Sequence, residues 1–313
     1  MGRRLILPLA ILLCALSLPE VLFSQAAKVL ISAPSKSLTW FPAFLANEKG
    51  FYREEGLEVG FVIMKPQLAL QALVSGDVLY TTALGSTMRA AFRGVPVRIV
   101  MTICEKPHFA LVARPGIQSV EGLKGKILGV SSFGASTDTM AQALLHRYKL
   151  NPGQDVKIIA VGGGTNRLAA LKAGAIDAAL LEAPYHVMME REGFTRILFV
   201  GDLIPSPIAG FGTTVEHIRK QPDEIRRLIR ATLRGIRSAK NRKQESVQGI
   251  MKWTGMEAAL AEGSYEMAVE TWSDSGVPSP EALKVAMEEV KRELKFDSPA
   301  DPSRAFEWSF VQK

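Results

Sequence analysis

The sequence predicts an α/β protein whose two similar lobes enclose a cleft. Residues 29–103 and 127–201 share one layout at an offset of about 98 residues, which marks an internal repeat. In both stretches short apolar runs alternate with helical segments that stop at glycine, the pattern of parallel or mixed sheets. The chain after residue 222 has helical periodicity, so we expect a helical C-terminal buttress beside the first lobe.

The first copy predicts three strands separated by two helices. The strands fall at residues 29–33, 56–63 and 78–83, and the helices fall at 41–46 and 68–74. Both helices stop at glycine, since Gly50 and Gly76 follow them. The third strand leads into Gly85-Ser86-Thr87, where we expect another helix to begin.

The second copy repeats this order. We expect strands at 126–130, 156–161 and 178–181, with helices at 138–148 and 166–172. Open parallel sheets bind ligands beyond the carboxyl ends of their strands. The loop at 131–137, the glycine run 162–164 and the strand end at Glu182 are therefore expected to face the cleft, opposite their first-copy counterparts.

Two further strands are expected to join the lobes. Residues 109–113 lie between the copies and 208–211 follow the second, so the chain would cross twice and form a two-strand hinge. The C-terminal helices are expected at 222–243, 256–272 and 280–294, the last beginning with Ser279-Pro280-Glu281. The predicted first lobe thus comprises 27–113 and 206–313, and the second comprises 114–205.

The N-terminus has the three-part layout of a secretory signal peptide. Arg3 and Arg4 precede the apolar residues 5–18, and small residues precede an expected cut after Ala26, giving a signal peptide at 1–26. We therefore expect an exported, periplasmic protein. Lipid attachment at Cys14 is the less favoured alternative, because Leu13 occupies the place where lipoprotein processing prefers a small side chain.

Charge and cysteine content narrow the function further. The formal net charge is +7, and many of the cations lie within 226–243 on the face opposite a helical row of apolar residues. Aromatic residues do not alternate with these cations. We therefore interpret the cations as the solvent-exposed face of a helix and expect no nucleic-acid binding. Removal of the signal peptide would leave Cys104 as the one cysteine, which excludes an internal disulfide.

Several motifs, in order along nearly the whole mature chain, resemble a family of periplasmic binding proteins. That SsuA-like family serves ABC importers for aliphatic sulfonates, nitrate and thiamine precursors. The motifs are Trp40-Phe41-Pro42-Ala43-Phe44-Leu45-Ala46, Glu48-Lys49-Gly50-Phe51-Tyr52, Glu55-Gly56-Leu57-Glu58-Val59, Arg114-Pro115-Gly116-Ile117, Leu123-Lys124-Gly125-Lys126, Gly129-Val130, Ala170-Leu171-Lys172-Ala173-Gly174, Asp177-Ala178-Ala179 and Phe306-Glu307-Trp308-Ser309-Phe310-Val311.

The resemblance implies a bilobed type II periplasmic-binding-protein fold. It also implies a small-molecule ligand, a monomeric protein, and an ABC permease with its ATPase as partners. Two departures lie near the expected cleft: Leu79 stands where the family often has Asp, and Lys65-Pro66-Gln67 replaces a pair of small residues. The family's ligands are therefore not carried over to this chain.

Polar candidates for the site cluster at the expected helix starts. Backbone N–H groups and the positive dipole end at Gly85-Ser86 and Ser136-Thr137 could hold an anionic group, although ordinary N-capping explains the same residue types. Gly134 would allow a close backbone approach. The complete predicted ligand site is Ser35, Lys36, Trp40, Gly85, Ser86, Phe133, Gly134, Ser136, Thr137, Gly163, Thr165, Glu182, Tyr185 and Phe211.

The other candidates are aromatic or charged. Trp40, Phe133, Tyr185 and Phe211 lie near predicted strand ends, where they could stack on a flat ring or could belong to the core. Glu182 could accept hydrogen bonds from a ligand or form a salt bridge. Lys36 and Arg167 are candidate partners for an anionic group of the ligand, although most surface cations make no specific interaction.

Catalytic and metal-binding patterns are absent from the sequence. The histidines at 108, 146, 186 and 217 lack metal-ligand spacing to one another or to Cys104, so we expect no metal, no cofactor and no catalytic residues. We predict a solute-binding protein of an ABC importer. The alternatives are a same-fold enzyme acting on a pyrimidine-like substrate, or a ligand sensor for a membrane receptor.

Overall fold

The structure is a computed structural model that describes residues 26–295 and 300–311. The expected signal peptide, apart from Ala26, and the possible lipidation site at Cys14 lie outside these residues. Within the described ranges, no helix combines the length and the apolar character needed to cross a membrane.

Ten strands form among the described residues and assemble into two sheets. In chain order they are β1 (Ala27–Ala33), β2 (Leu57–Ile63), β3 (Tyr80–Ala83), β4 (Val97–Cys104), β5 (Ala110–Ala113), β6 (Ile127–Val130), β7 (Lys157–Ala160), β8 (Ala178–Leu181), β9 (Thr195–Phe199) and β10 (Ala209–Thr214). The first sheet has the order β2-β1-β3-β10-β4, and the second has the order β7-β6-β8-β5-β9.

The two sheets share one topology. In the first, β1 pairs in parallel with β2 and β3, and β10 is antiparallel to both β3 and β4. In the second, β6 pairs in parallel with β7 and β8, and β5 is antiparallel to both β8 and β9. The repeated layout in the sequence thus corresponds to two five-stranded mixed sheets, which confirms the predicted fold class.

The position of β5 differs from the lobe boundaries expected from the sequence. Those boundaries assigned residues 109–113 to the first lobe, whereas β5 belongs to the second sheet, with Ala110 opposite both Leu181 and Phe199. All four residues of β5 are buried, which a short apolar strand achieves between two partners. The chain therefore leaves the first sheet between Cys104 and Ala110, earlier than expected.

The two crossings between the sheets lie side by side. The amide of Val200 donates to the carbonyl of Phe109 at 2.8 Å, and the amide of Ile208 donates to the carbonyl of Cys104 at 3.0 Å. Because the crossing segments run next to each other, they form the double-stranded hinge that the fold class requires.

The helices cover the faces of the sheets. They are α1 (Phe41–Glu48), α2 (Phe51–Glu54), α3 (Pro66–Ser75), α4 (Leu84–Phe92), α5 (Ser136–Arg147), α6 (Gly164–Lys172), α7 (Tyr185–Arg191), α8 (Val215–Lys220), α9 (Pro222–Asn241), α10 (Lys243–Thr254), α11 (Ala258–Val269) and α12 (Pro280–Leu294). The sequence did not predict α10, which occupies the stretch between two expected helices.

The C-terminal helices pack mainly on the first sheet and its helices. The apolar face of α9, including Ile225 and Leu228, is buried against α1 and α2. Its basic face forms exposed ion pairs, such as Arg230 with Glu55 at 2.6 Å, as a solvated surface would. Helix α11 contacts α7, so the buttress also reaches the second lobe.

Candidate functional site

A cavity of about 50 Å³ lies between the two sheets, beside the ends of β3, β6 and β8. We call it the inner cavity. Eight of its lining residues carry hydroxyl groups, which can each donate and accept hydrogen bonds. These are Ser35, Ser37, Thr39, Thr82, Ser86, Ser131, Ser136 and Thr137. The other lining residues are Pro34, Ala83, Phe109, Ala135, Gly163, Arg167, Glu182, Ile208 and Ala209.

Three helices begin at the inner cavity. The N-cap residues of α4, α5 and α6 are Ala83, Ala135 and Gly163, and all three line it. Helix N-termini carry unpaired N–H groups and partial positive charge, so their convergence favours an anionic or acceptor-rich group. None of the three helices has a side-chain cap hydrogen bond, so N-capping does not explain Ser86, Ser136 or Thr137.

A buried ion pair forms one wall of the inner cavity. Nη2 of Arg167 donates to Oε2 of Glu182 at 2.8 Å, and the two side chains are 2% and 4% exposed. Glu182 also accepts from the hydroxyl of Ser35 at 2.9 Å. The Nε–H of Arg167 is buried without a hydrogen-bond partner among the described residues. Because an unpaired buried donor is costly, a ligand atom that accepted from this group would offset that cost.

The lobes touch on two sides of the inner cavity. On one side Ser35 reaches Glu182, and the hydroxyl of Tyr185 donates to the carbonyl of Lys36 at 2.9 Å. Burial raises the pKa of Tyr185, so its hydroxyl keeps the proton that it donates. On the other side Arg89 of α4 donates to the hydroxyl of Thr139 on α5.

Glycine allows the close approach of the lobes at both contacts. A Cβ placed on Gly163 would lie 2.9 Å from the carbonyl oxygen of Pro34 in the opposite lobe. A Cβ placed on Gly85 would lie 2.5 Å from Oγ of Ser136 and 3.1 Å from its backbone nitrogen. The observed separation of the lobes therefore depends on the missing side chains at these two positions.

A second cavity, the outer groove, lies next to the first and has a volume of about 670 Å³. It shares Pro34, Ser35 and Gly163 with the inner cavity, so the two spaces adjoin. Its other lining residues are Lys36, Ile63, Met64, Lys65, Thr165, Asn166, Pro184, Tyr185, Met188, Thr254, Gly255, Met256 and Leu260.

The comparisons with known proteins identify the family. A family profile described as "NMT1/THI5 like" matches residues 39–246, which is more than half of the chain. The chain belongs to the NMT1/THI5-like family. This assignment and the fold agree with the resemblance of the sequence to periplasmic binding proteins.

Two proteins with sequence similarity to this NMT1/THI5-like chain are named for different functions. The riboflavin-binding protein RibY of Chloroflexus aurantiacus is 27% identical over 209 residues, covering 64% of this chain and 58% of RibY. The 4-amino-5-hydroxymethyl-2-methylpyrimidine phosphate synthase of Schizosaccharomyces pombe is 29% identical over 209 residues, covering 61% of this chain and 59% of the synthase. The chain thus spans less than two thirds of the length of either relative.

The fold of the NMT1/THI5-like chain is that of periplasmic binding proteins. The alkanesulfonate-binding protein SsuA of Xanthomonas axonopodis pv. citri, solved with bound MOPS, superposes with a TM-score of 0.76. The match covers 91% of this chain and 100% of SsuA at 15% identity, so it establishes the fold and nothing finer.

The structure brings nine of the fourteen predicted residues to the two cavities. Those at the inner cavity are Ser35, Ser86, Ser136, Thr137, Gly163 and Glu182. Those at the outer groove alone are Lys36, Thr165 and Tyr185. Glu182 forms the salt bridge that was one of its two expected roles. Whether these residues bind a ligand stays a prediction.

The remaining five predicted residues line neither cavity. Trp40 is 1% exposed and packs against Phe61, while its indole N–H donates to the carbonyl of Ser35 at 2.9 Å. Phe211 is fully buried beside Tyr80, as the core alternative expected. Phe133 is 60% exposed. Its neighbour Gly134, like Gly85, is absent from both linings.

Sequence reasoning missed several residues of the inner cavity. Thr82 lies in β3 and Ser131 directly follows β6, so the strand-end rule could have selected both. Ser37 and Thr39 lie in the loop after β1, where the same rule applies. Arg167, considered only as a candidate anion partner, is the cation that the structure places in the wall.

Metal-ligating side chains and the thiol of Cys104 are the remaining candidates for chemistry in the described part of the chain. Residues 26–295 and 300–311 contain no group of three or more His, Cys, Asp or Glu side chains placed to hold a metal ion. Burial raises the pKa of the Cys104 thiol to about 12. Nδ1 of His108 lies 3.7 Å from Sγ of Cys104, and burial lowers the pKa of this histidine to about 3. Both groups are therefore neutral near pH 7, and Cys104 lacks the thiolate character of a nucleophile.

Proposed function

We propose that the protein is an extracytoplasmic solute-binding protein that delivers its ligand to an ABC importer. In this proposal residues 1–26 direct export to the periplasm, the lobes close on a small organic molecule, and the closed form engages the permease with its ATPase. The observation that carries the proposal is the inner cavity: an interlobe space lined by hydroxyl groups, three helix N-termini and a buried arginine with a free N–H.

The chemistry of the inner cavity favours a small acceptor-rich or anionic group. The charge of Arg167 is balanced by Glu182, so the excess positive potential comes from the helix N-termini. Two groups of the lining, the Nε–H of Arg167 and the hydroxyl of Thr82, are buried without a hydrogen-bond partner among the described residues. A volume of about 50 Å³ exceeds what one water needs by only a few-fold, so it admits a group of a few heavy atoms.

Ligand binding would act on the hinge equilibrium. Thr82 belongs to the first lobe and Arg167 to the second, so one bound group could accept hydrogen bonds from both. A ligand that contacts both lobes binds the closed form more tightly and shifts the population towards it. The ligand thereby creates the shape that a permease can distinguish from the open protein.

The first experiment is a thermal-shift screen of the mature protein, with product analysis by mass spectrometry. The compounds are sulfonates, nitrate, pyrimidines, aromatic acids and flavin precursors. We expect at least one compound to raise the melting temperature and to be recovered unchanged. If no compound shifts the melting temperature while one is chemically converted, the binding function is wrong.

A matched pair of variants then tests the cavity. Thr82→Val and Thr102→Val each replace a buried hydroxyl that lacks a partner by an apolar group of the same shape, so neither should destabilise the fold. Thr82 lines the inner cavity and Thr102 does not. We expect Thr82→Val to weaken binding of the screened ligand at least about fivefold, the effect of one lost hydrogen bond, and Thr102→Val to leave it unchanged. Equal affinities would remove Thr82 from the site.

The second candidate function is an enzyme acting on a pyrimidine-like substrate. The observation in its favour is the 29% identity to the Schizosaccharomyces pombe protein named as a pyrimidine phosphate synthase. Chemical conversion of a pyrimidine in the same screen, lost in a variant of the inner cavity such as Thr82→Val, would establish this function instead.

A further inference from the structure

A third cavity, which we call the basic groove, lies on the first lobe and has a volume of about 470 Å³. It shares no lining residue with the inner cavity or the outer groove, so it is a separate space. The turn between α1 and α2 and the junction of α9 with α10 contribute to its lining. The rest is one stripe of α9 at helical spacing, formed by Arg234, Arg237, Ser238 and Asn241.

The basic groove carries more positive than negative charge. Its charged lining residues are all cations, namely Lys49, Arg234, Arg237 and Arg242. The carboxylate of Glu245 pairs with both Lys49 and Arg242. The carboxylate of Glu54 pairs with Arg234 at 2.6 Å. These two carboxylates leave the four cations only partly neutralised, and the remaining positive potential attracts anions.

Arg237 is the cation of the basic groove that is free to bind a ligand. It is exposed, and it makes neither an ion pair nor a side-chain hydrogen bond among the described residues. Arg234, one turn earlier on α9, is instead oriented by its neighbours, because its Cζ lies 4.2 Å from the centre of the Phe51 ring. The planar fork of an arginine matches the oxygens of a phosphate or a carboxylate, so Arg237 can donate two parallel hydrogen bonds.

Ser238 adds an unpaired hydroxyl beside Arg237. Its Oγ is buried and has no hydrogen-bond partner among the described residues, although a helical serine can bond to the carbonyl four residues earlier. A buried hydroxyl without a partner is costly, and an acceptor in the groove would offset that cost.

The carboxyl end of α9 offers little resistance to an anion at this place. Its carbonyls carry partial negative charge, but several already accept hydrogen bonds. The carbonyl of Ser238 accepts from the amide of Arg242 at 3.1 Å. The carbonyl of Ala239 accepts from the hydroxyls of Ser246 and Tyr265, each at 3.0 Å.

We propose that the basic groove binds a phosphate group, with Arg237 and Ser238 as the principal donors. A phosphate carries a charge of about −1.5 to −2 near pH 7 and three strong acceptor oxygens, which suits both the uncompensated cations and the unpaired hydroxyl. Inorganic phosphate, a soluble phosphate monoester and the headgroup of phosphatidic acid all present this group. The site lies outside the two interlobe cavities and goes beyond the proposed solute-binding function.

Calorimetric titration of the mature protein with inorganic phosphate at low ionic strength tests the site. Arg237→Gln removes the unpaired cation and should weaken phosphate binding at least about tenfold. Ser238→Ala removes the unpaired hydroxyl and should weaken it about threefold without lowering the melting temperature. The matched control is Arg219→Gln in α8, an exposed arginine that also lacks an ion pair among the described residues but does not line the groove. We expect this control to keep the wild-type affinity.

Vesicle flotation distinguishes a lipid headgroup from a soluble phosphate. The vesicles are phosphatidylcholine with and without phosphatidic acid. Binding that requires phosphatidic acid, is lost in Arg237→Gln and is kept in Arg219→Gln would identify the lipid headgroup as the source. Binding of inorganic phosphate without binding of these vesicles would identify a soluble phosphate. Either result supports the site.

Three outcomes would overturn the proposal. The first is that neither inorganic phosphate nor the vesicles bind. The second is that Arg237→Gln and Arg219→Gln have equal affinity, as they would if phosphate occupied the inner cavity. The third is an unchanged affinity in Ser238→Ala, which also serves if Arg237→Gln does not fold. None of these outcomes bears on the solute-binding function, which the ligand screen tests separately.

Discussion

Substitution of Gly85 by alanine should open the cleft without weakening either lobe. Gly85 lies in the first turn of α4, where alanine is at least as favourable as glycine to the helix. The added Cβ would meet the opposite lobe, 2.5 Å from Oγ of Ser136 and 3.1 Å from its backbone nitrogen. It would also lie 3.1 Å from Nη1 of Arg89, a residue of the same helix whose Nη2 donates to the hydroxyl of Thr139 across the cleft.

The expected penalty falls mainly on the closed state, because Arg89 lies on the same helix as Gly85 and the end of its side chain can move away in both states. Rotation of Ser136 can relieve the contact with Oγ, but the contact with the backbone nitrogen requires the two lobes to separate. Overpacking of this kind costs about 1–3 kcal/mol, whereas the helix gains at most about 1 kcal/mol from alanine in both the open and the closed state. Because ligand affinity scales with the population of the closed form, we expect affinity to fall about 5- to 150-fold.

The assay combines ligand titration, small-angle X-ray scattering and thermal unfolding. Gly85→Ala should bind the screened ligand more weakly, show a larger radius of gyration at subsaturating ligand, and melt without ligand no lower than the wild type. The matched control is Gly263→Ala in α11, where an added Cβ meets nothing within 4 Å, so only the helix gain remains. The reasoning is refuted if Gly85→Ala retains wild-type affinity and a wild-type radius of gyration.

Two further predictions concern buried charges. Burial raises the pKa of Glu289 from 4.5 to about 7, so folding favours its protonated form and its charge destabilises the protein increasingly as pH rises from about 4.5 through 7. Glu289→Gln should therefore stabilise the protein by up to about 3 kcal/mol at pH 8 and by little at pH 4.5, measured by thermal unfolding, and Glu288→Gln at an exposed position of the same helix is the matched control. Arg167→Met leaves Glu182 buried without its cation and should cost about 3–5 kcal/mol in urea denaturation, most of it recovered by adding Glu182→Gln. A wild-type denaturation midpoint for Arg167→Met would show that the pair is not needed for stability.

Local periodicity predicted most of the fold. Apolar runs bounded by glycine gave the strands that became β1, β2, β3, β6, β7 and β8, because their signals are carried within a few residues. Helix α10 was missed, since Lys243–Thr254 has neither a capping residue nor a breaker at its start and its N-cap is Arg242. The sheet to which β5 belongs was also missed, because pairing with β8 and β9 involves residues up to 89 positions away.

The candidate site divides in a similar way. Polar residues next to strand ends, such as Ser35, Ser136 and Glu182, were predicted because the carboxyl ends of parallel strands share one edge. The aromatic residues were less predictable. Trp40 and Tyr185 both lie near strand ends, but only Tyr185 lines a cavity, since Trp40 packs against Trp253 from a helix more than 200 residues later in the chain.

The sequence by itself determined a duplicated α/β architecture and the set of loops that face the cleft. Both follow from patterns within single strands and helices, which act over a few residues. Only the tertiary structure decided that Arg167 and Glu182 pair inside the wall, that Gly85 meets Ser136, and that three methionines share one groove. These arrangements depend on the packing of elements distant in sequence, where burial and close contact, rather than local pattern, select the neighbours of each side chain.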